Sequence, residues 1–284
     1  MQISMEHLQI HTDITKRIHK YRKGVKMADK WKGSAEIIEQ KQIAEDIYSI
    51  WLQADFIAKT AVPGQFVSIY CKEGSRLLPR PISICETDRE RGRLRMVYRV
   101  VGKGTEEFSA YLSGDTLEIM GPLGNGYTLK EKKTCLIGGG IGIPPLLELA
   151  KRLQGEKEIV LGYRSGKEMF LKEEFERYGT VWVATEDGSA GIKGNVLDAV
   201  QKEQLEAEVI YACGPTPMLR AVQSYAKEQG IEAQISLEER MACGIGACLA
   251  CVCQSKERDE HTHVHKKRIC KEGPVFYAEE VDLG

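Results

Sequence analysis

"ERMACGIGACLACVC", residues 239–253, places four of the chain's nine cysteines within eleven positions. Cys243, Cys248 and Cys251 follow a C-x4-C-x2-C spacing, with only Gly, Ile, Ala and Leu in the gaps. A loop delivering thiolates to a compact inorganic core must turn tightly. Gly244, Gly246 and Ala247 permit that turning and leave backbone N–H groups free to point at sulfur. C-x4-C-x2-C followed by a distant cysteine is the plant-type 2Fe–2S spacing, and Cys270, before "KEGPVF", is the expected fourth ligand. Zinc is the main alternative, but structural zinc sites usually take paired C-x2-C knuckles and only one side here has that spacing. A Rieske-type centre would need two imidazoles. His261, His263 and His265 alternate in "DEHTHVHKKR", whose charges read instead as the exposed tip of a hairpin. Cys253, two residues beyond Cys251, would face the same way on an extended strand and could substitute as a ligand; the spacing favours Cys251.

The rest of the chain bounds what such a centre can serve. With 284 residues, two or three domains are expected. The chain is 42% hydrophobic and 29% charged, with a net charge of −1, which offers no field for gripping nucleic acid or an anionic membrane. No run approaches a membrane span, and "MQISMEHLQI" lacks the plan of a secretory signal. A cytoplasmic protein with reduced thiols is expected, so nine locally clustered cysteines favour metal or redox chemistry over disulfides.

Four regions emerge. Residues 1–32 read as an N-terminal extension; "TKRIHKYRKGVK" is a basic docking arm or, more simply, a solvated tail translated from a start upstream of Met27. Residues 33–132 are strand-like: "SAEIIEQ", "IYSIWLQA", "GQFVSIYC", "GRLRMVYRVV" and "DTLEIMG" are short β-branched or aromatic runs between turns. With a single brief helical candidate at Glu106–Leu112, they predict a closed antiparallel barrel. In 133–233 the strands "TCLIGG", "KEIVLGYR", "VWVATED" and "EVIYACG" alternate with helical "PPLLELAKRL", "KEEFERYG", "GNVLDAVQKE" and "PMLRAVQSYAKEQG". That rhythm predicts an α/β domain with a parallel sheet. Residues 234–284 hold the cysteine segment and a β-like tail.

Two stretches point to organic cofactors. "LLPRPISI" contains Arg80, Pro81, Ile82 and Ser83, similar to the R-x-Y/P-S signature that holds a flavin in the ferredoxin-reductase superfamily. Arginine offers a fixed fork of donors for a pyrophosphate, and the serine hydroxyl can bond the flavin's polar edge. Val97, Tyr98 and Arg99 follow at the spacing where that superfamily sets strand residues against the flavin. Gly104 and Thr105 in "GKGTEEF" open a helix whose free N–H groups suit a phosphate. A complete pyrophosphate site favours FAD over FMN. The second stretch, "CLIGGGIGIPPLL", is a glycine-rich strand-to-helix turn: Gly138, Gly139, Gly140, Ile141 and Gly142. It departs from G-x-G-x-x-G, and no acid follows the next strand. "YACGPTPML" resembles the C-G-P-x-x-M segment that the same superfamily brings to the nicotinamide, with Cys213 near the reacting carbon and Gly214 and Pro215 shaping the floor. As a buried small hydrophobe, Cys213 would need no ligand. Glu186 and Asp187 in "TEDGS" read as turn residues, and no nucleophile or catalytic carboxylate pair stands out.

The order barrel, nucleotide domain, ferredoxin-like segment, together with "RMACGIGACLACVC", "ICKEGPVF", "PGQFVSI" and "DGSAGIKGNV", resembles the electron-transfer subunits of class 1B dihydroorotate dehydrogenases. The resemblance runs from about Met27 to the C-terminus. It departs only in the N-terminal extension and in a longer, His-containing insert before Cys270. It implies a relay for de novo pyrimidine biosynthesis: an FMN-containing catalytic partner oxidises dihydroorotate, and electrons pass through the 2Fe–2S cluster to FAD and on to NAD+. It also implies a heterotetramer of two subunits of each kind. NAD rather than NADP rests on the resemblance, since Arg164 and Ser165 could meet a 2′-phosphate. Rival readings are the flavin subunit of a ferredoxin–NADP transhydrogenase or sulfide dehydrogenase, an oxygenase reductase, and a zinc-stabilised binding module.

Overall fold

The computed structural model describes residues 25–27, 29–258 and 264–284. The extension through residue 24, and His261 and His263, lie outside the described residues.

A short strand β1 (Val25–Met27) pairs with β2 (Lys30–Ala44), which runs on into β3 (Ile47–Gln53). Helix α1 (Asp55–Thr60) follows, then β4 (Phe66–Tyr70), β5 (Arg80–Asp88), β6 (Arg93–Arg99), helix α2 (Lys103–Ser109) and β7 (Thr116–Leu123). Six antiparallel strands hydrogen-bond in the order β2-β3-β6-β5-β4-β7, and pairing of β7 with β2 (Trp31 opposite Gly121 through Glu36 opposite Thr116) closes the barrel. Alternation fills it: Ile50 and Leu52, Val67 and Ile69, Leu94, Met96 and Tyr98, Leu117 and Ile119 all point inward and are buried. The outward set on β4 and β5, namely Phe66, Ser68, Pro81 and Ser83, occupies facing positions of the ladder.

Helix α1 was unexpected, because "ADFIAKT" continues the apolar text of β3. Its Ile57 packs into the barrel core and Ala58 is buried beside it. Helix α2 lies three residues N-terminal of the expected Glu106–Leu112, because Thr105 closes its first turn by accepting the Val101 and Gly102 N–H groups at 3.0 and 3.3 Å.

The second half is a parallel sheet: β8 (Thr134–Gly139), a 3₁₀ turn at Gly140–Gly142, helix α3 (Pro145–Arg152), β9 (Lys157–Tyr163), helix α4 (Lys172–Phe175), β10 (Thr180–Thr185), β11 (Ile192–Lys193), helix α5 (Val196–Lys202), β12 (Val209–Cys213), helix α6 (Thr216–Gln229) and β13 (Glu232–Ser236). Helix α4 is half the length of "KEEFERYG", entered through Leu171 at a left-handed φ of 64°. The chain then makes a loop, β14 (Val252–Ser255), β15 (Lys266–Arg268), β16 (Val275–Tyr277) and β17 (Val281–Asp282). Strands β15-β14-β17 form a small sheet, while β16 returns to pair antiparallel with β13, giving β11-β10-β9-β8-β12-β13-β16. One apolar core runs from the nucleotide sheet (Ile137, Val160, Ile210, Ile235) through Phe66 and Leu123 of the barrel to Cys251, Ile269, Cys270 and Phe276.

Candidate functional site

The cysteine segment folds as a turn-rich loop whose shape depends on glycine. Gly244 and Gly246 take φ values of 69° and 84°, in the left-handed region that side chains with a Cβ disfavour. These turns aim backbone donors inward. The Ile245 and Ala247 N–H groups reach Cys243 Sγ at 3.5 and 3.3 Å, Gly246 N–H reaches Cys270 Sγ at 3.1 Å, and Cys270 N–H reaches Cys251 Sγ at 3.4 Å. Cys251 and Cys270 are buried, whereas Cys248 is exposed at the loop surface. Partial burial pushes the Cys243 thiol up, but the Ile245 N–H, the neighbouring Cys248 and the Ala247 N–H together bring it down to about 6. Burial, and then the adjoining Cys251 sulfur, drive Cys270 up to about 12.

Among the described residues no three His, Cys, Asp or Glu side chains converge on one ion. The thiols instead neighbour one another, Cys248 acting on Cys243, and Cys251 and then Cys243 acting on Cys270. Two thiolates for each of two irons is the donor set of a 2Fe–2S cluster, and backbone N–H groups directed at the sulfurs offset its negative charge. The residues therefore fit that cluster better than a single tetrahedral metal. Cys253 stands apart: its Sγ donates to the Lys267 carbonyl at 3.6 Å, and burial raises its thiol to about 11. The histidine run belongs to the connection between β14 and β15, where His265 Nδ1 lies 3.1 Å from the Lys256 carbonyl.

The cluster loop rests on the barrel face that carries the flavin signature. A Cβ on Gly244 would lie 2.8 Å from Ser68 Oγ, and Ser68 is the ladder partner of Pro81. The Ser68 hydroxyl is buried without a protein partner; a buried polar atom in that state demands an explanation. At the start of β5, Arg80 lies across Gly104, where a Cβ would come within 2.1 Å of the guanidinium Nε. Arg80 and Gly104 are thus brought together. Thr105 is not free to join them, since its hydroxyl is committed to the turn. Ile82 and Tyr98 turn their side chains into the barrel. The Tyr98 ring stacks on Tyr48 with centroids 5.9 Å apart and donates to Gln40 Oε1 at 3.1 Å. Strand alternation leaves only their backbone to face a ligand on the outer surface. Val97 faces outward and is buried against the nucleotide domain, and Arg99 reaches Glu168 at 3.5 Å with its Nε unpaired. Pro81 and Ser83 are half-buried on the outer face.

The two nucleotide segments converge at the ends of neighbouring strands, with Cys213 opposite Gly138. A Cβ on Gly142 would lie 2.5 Å from the Cys213 carbonyl, and one on Gly139 would lie 2.5 Å from Met218 Sδ and 3.2 Å from Pro215. The turn accordingly seats directly against Gly214 and Pro215. Gly140, at φ 52°, has open space around it, and Ile141 is half-buried. Burial lifts the Cys213 thiol to about 12, so it is neutral at physiological pH. Tyr127 donates to the Ala212 carbonyl at 3.1 Å beside it. Cys213 and Ile141 pack on the same apolar cluster as Val97 and Tyr127, so the nucleotide turn meets the outer barrel face. Asp187 is an exposed turn residue accepting from Ser189 N–H at 2.9 Å and Oγ at 2.6 Å.

Sequence reasoning missed the groups that join these parts. Glu148, on α3, is 1% exposed and accepts from Thr87 of β5 through both N–H and hydroxyl. Arg95 ties Ser49 to Glu174 of α4 and Glu86 of β5. The one available signal was a lone acid among apolar residues in "PPLLELAKRL".

Comparison with known proteins places each segment. Residues 238–282 match the family model of the iron–sulfur cluster binding domain of dihydroorotate dehydrogenase B, 136–224 an oxidoreductase NAD-binding domain and 34–127 an oxidoreductase FAD-binding domain. Over 257 residues the chain is 44% identical to the "Dihydroorotate dehydrogenase B (NAD(+)), electron transfer subunit" of Fusobacterium nucleatum subsp. nucleatum, covering 86% of this chain and 96% of that one. The protein of the same name from Bacillus cereus (strain B4264) is 44% identical over 255 residues, 87% of this chain and 97% of its own. Among solved structures, an NADH-dependent reduced ferredoxin–NADP oxidoreductase studied for flavin-based electron bifurcation superposes with a TM-score of 0.79 at 35% identity, covering 88% and 90% of the two chains. A ferredoxin reductase of carbazole 1,9a-dioxygenase shares the fold, with a TM-score of 0.61 at 20% identity over 71% and 67%.

Proposed function

The chain belongs to the electron transfer subunits of NAD-linked dihydroorotate dehydrogenase B, and from that premise we propose how its residues carry the work. It is the oxidoreductase component that takes electrons from a dihydroorotate-oxidising, FMN-containing partner through a 2Fe–2S cluster and FAD to NAD+, in pyrimidine biosynthesis. When bound, the cluster handles single electrons and the flavin converts them to the two-electron hydride that nicotinamide accepts.

Cys243, Cys248, Cys251 and Cys270 hold the cluster, and the N–H groups of Ile245, Gly246, Ala247 and Cys270 offset charge on their sulfurs. Arg80, beside Gly104, binds the FAD pyrophosphate, while Pro81, Ser83 and Val97, with the backbone of Ile82 and Tyr98, line the ring's face. Arg99 completes the barrel side, and Thr105 shapes the phosphate turn rather than touching the phosphate. Gly138 to Gly142, Gly214 and Pro215 accept the nucleotide. Cys213, held neutral, packs beside the nicotinamide without exchanging a proton. The apolar cluster of Val97, Cys85 and Tyr127 keeps water from the junction.

One observation carries this reading: the loop with the four thiols seats at Gly244 on Ser68, the ladder partner of Pro81 in the flavin signature. The preference for NAD over NADP, the assembly of two catalytic with two electron-transfer subunits, and a cytoplasmic location belong to the same proposal. Among the described residues no helix is long and apolar enough to cross a membrane. The likeness to a ferredoxin–NADP oxidoreductase favours one other reading, a transhydrogenase subunit, and the partner decides between them.

The test is co-expression with a candidate FMN partner and measurement of dihydroorotate-dependent NAD+ reduction. Cys248→Ser should abolish that coupling while sparing dye reduction by NADH. Equal loss of both would overturn the relay order.

A further inference from the structure

Strand β5 carries two things at its two ends. Arg80 to Ser83 form the flavin signature, and Thr87, 3% exposed, sits one residue from the other terminus. Helix α3 starts three residues after Gly142 of the nucleotide turn, with Glu148 in its first turn. These elements belong to different domains and meet through Glu148, whose carboxylate is almost fully buried. Its Oε2 accepts the Thr87 backbone N–H at 2.9 Å, and its Oε1 accepts the Thr87 hydroxyl at 2.8 Å and Arg152 Nε–H at 2.7 Å. Lys151 binds the Thr87 carbonyl at 3.2 Å and Glu86 Oε1 at 3.0 Å from the same helix.

A buried carboxylate is a poor way to gain stability, because desolvation offsets most of the attraction. What it supplies is direction: three donors at fixed angles hold one register, whereas apolar side chains would tolerate sliding. We propose that Glu148 is a positioning residue that fixes the spacing between the flavin strand and the nicotinamide turn through Thr87. This rests on the cofactor assignments above. A displacement of about 1 Å at a reacting pair lowers rates by as much as 10²-fold, so a directional clasp behind both binding segments acts on the hydride step without touching either ring.

The experiment compares Thr87→Ser, Thr87→Val and Glu148→Gln in the full chain loaded with FAD and cluster. Rapid mixing with NADH gives the rate of flavin reduction. The long-wavelength charge-transfer absorbance between nicotinamide and flavin reports their stacking, and amide exchange at Thr87 reports the clasp itself. Thr87→Val and Glu148→Gln should reduce flavin roughly tenfold or more slowly, with a weaker charge-transfer band and faster exchange of the backbone amide at position 87. Flavin and iron content and both midpoint potentials should be unchanged. Thr87→Ser, which keeps the hydroxyl, should match the parent protein. If Glu148→Gln does not fold, the Thr87 pair decides alone. Parental rates and band in Thr87→Val, or a rate that falls only in proportion to lost FAD or melting temperature, would overturn the proposal. A parent protein that NADH does not reduce would overturn the cofactor assignments instead.

Discussion

At Cys213, burial is the largest of the effects that push the thiol up to about 12, and burial likewise leads in lifting Cys135 of β8 to about 12. Both are neutral when folded, whereas the unfolded thiols ionise near 9. Their stabilising contribution is therefore complete below pH 9 and is lost as pH rises from 9 towards 12, by up to about 1.4 kcal/mol per pH unit for each thiol. The urea midpoint, followed by far-ultraviolet dichroism, should fall across that window, and Cys213 should resist iodoacetamide at pH 8. A second prediction concerns Gly244. Alanine there must adopt a φ near 69° and set its Cβ 2.8 Å from Ser68 Oγ, at a cost of about 1–2 kcal/mol in backbone strain alone. Gly244→Ala should retain FAD yet lose iron and acid-labile sulfide, measured per polypeptide. The cysteine ligands were legible because their spacing is written along the chain. Ser68 and Glu148 were not, because what defines them is a neighbour distant in sequence: Thr87 and Glu148 are 61 residues apart.

Among elements, those with a strong period were legible. The alternating barrel strands and amphipathic α6 are recognisable from one stretch of text. Strand β5 hid behind its own signature, since Pro81 argues against a strand interior, yet it stands in the ladder opposite Ser68. Short α1 carried no assignment in the sequence, and α4 stops after one turn although "KEEFERYG" promises two. Pairing of β16 with β13 is a tertiary event with no local signal. It yields a prediction: Phe276, 3% exposed and sharing one core with Ile235 and Cys270, should cost about 3–5 kcal/mol when changed to alanine. Chemical denaturation should show the barrel and nucleotide domain losing stability together, because that core is continuous.

For the molecule as a whole, the expected barrel, parallel sheet and cluster segment are all present. What sequence could not convey was their contact, through Ser68 and Gly244 on one side and Glu148 and Thr87 on the other. Removing iron with a chelator under reducing conditions should lower the melting temperature of the nucleotide half as well as bleach the visible spectrum, because a ligand that binds only the native state stabilises everything folded with it. Cys251 and Cys270 are wall residues of the core that also contains Ile137 and Ile235. Iron starvation would then do more than interrupt conduction. A cell short of the metal would hold a polypeptide whose NAD-handling portion is loosened and open to proteases, so that supply of the inorganic cofactor sets how much of the protein survives.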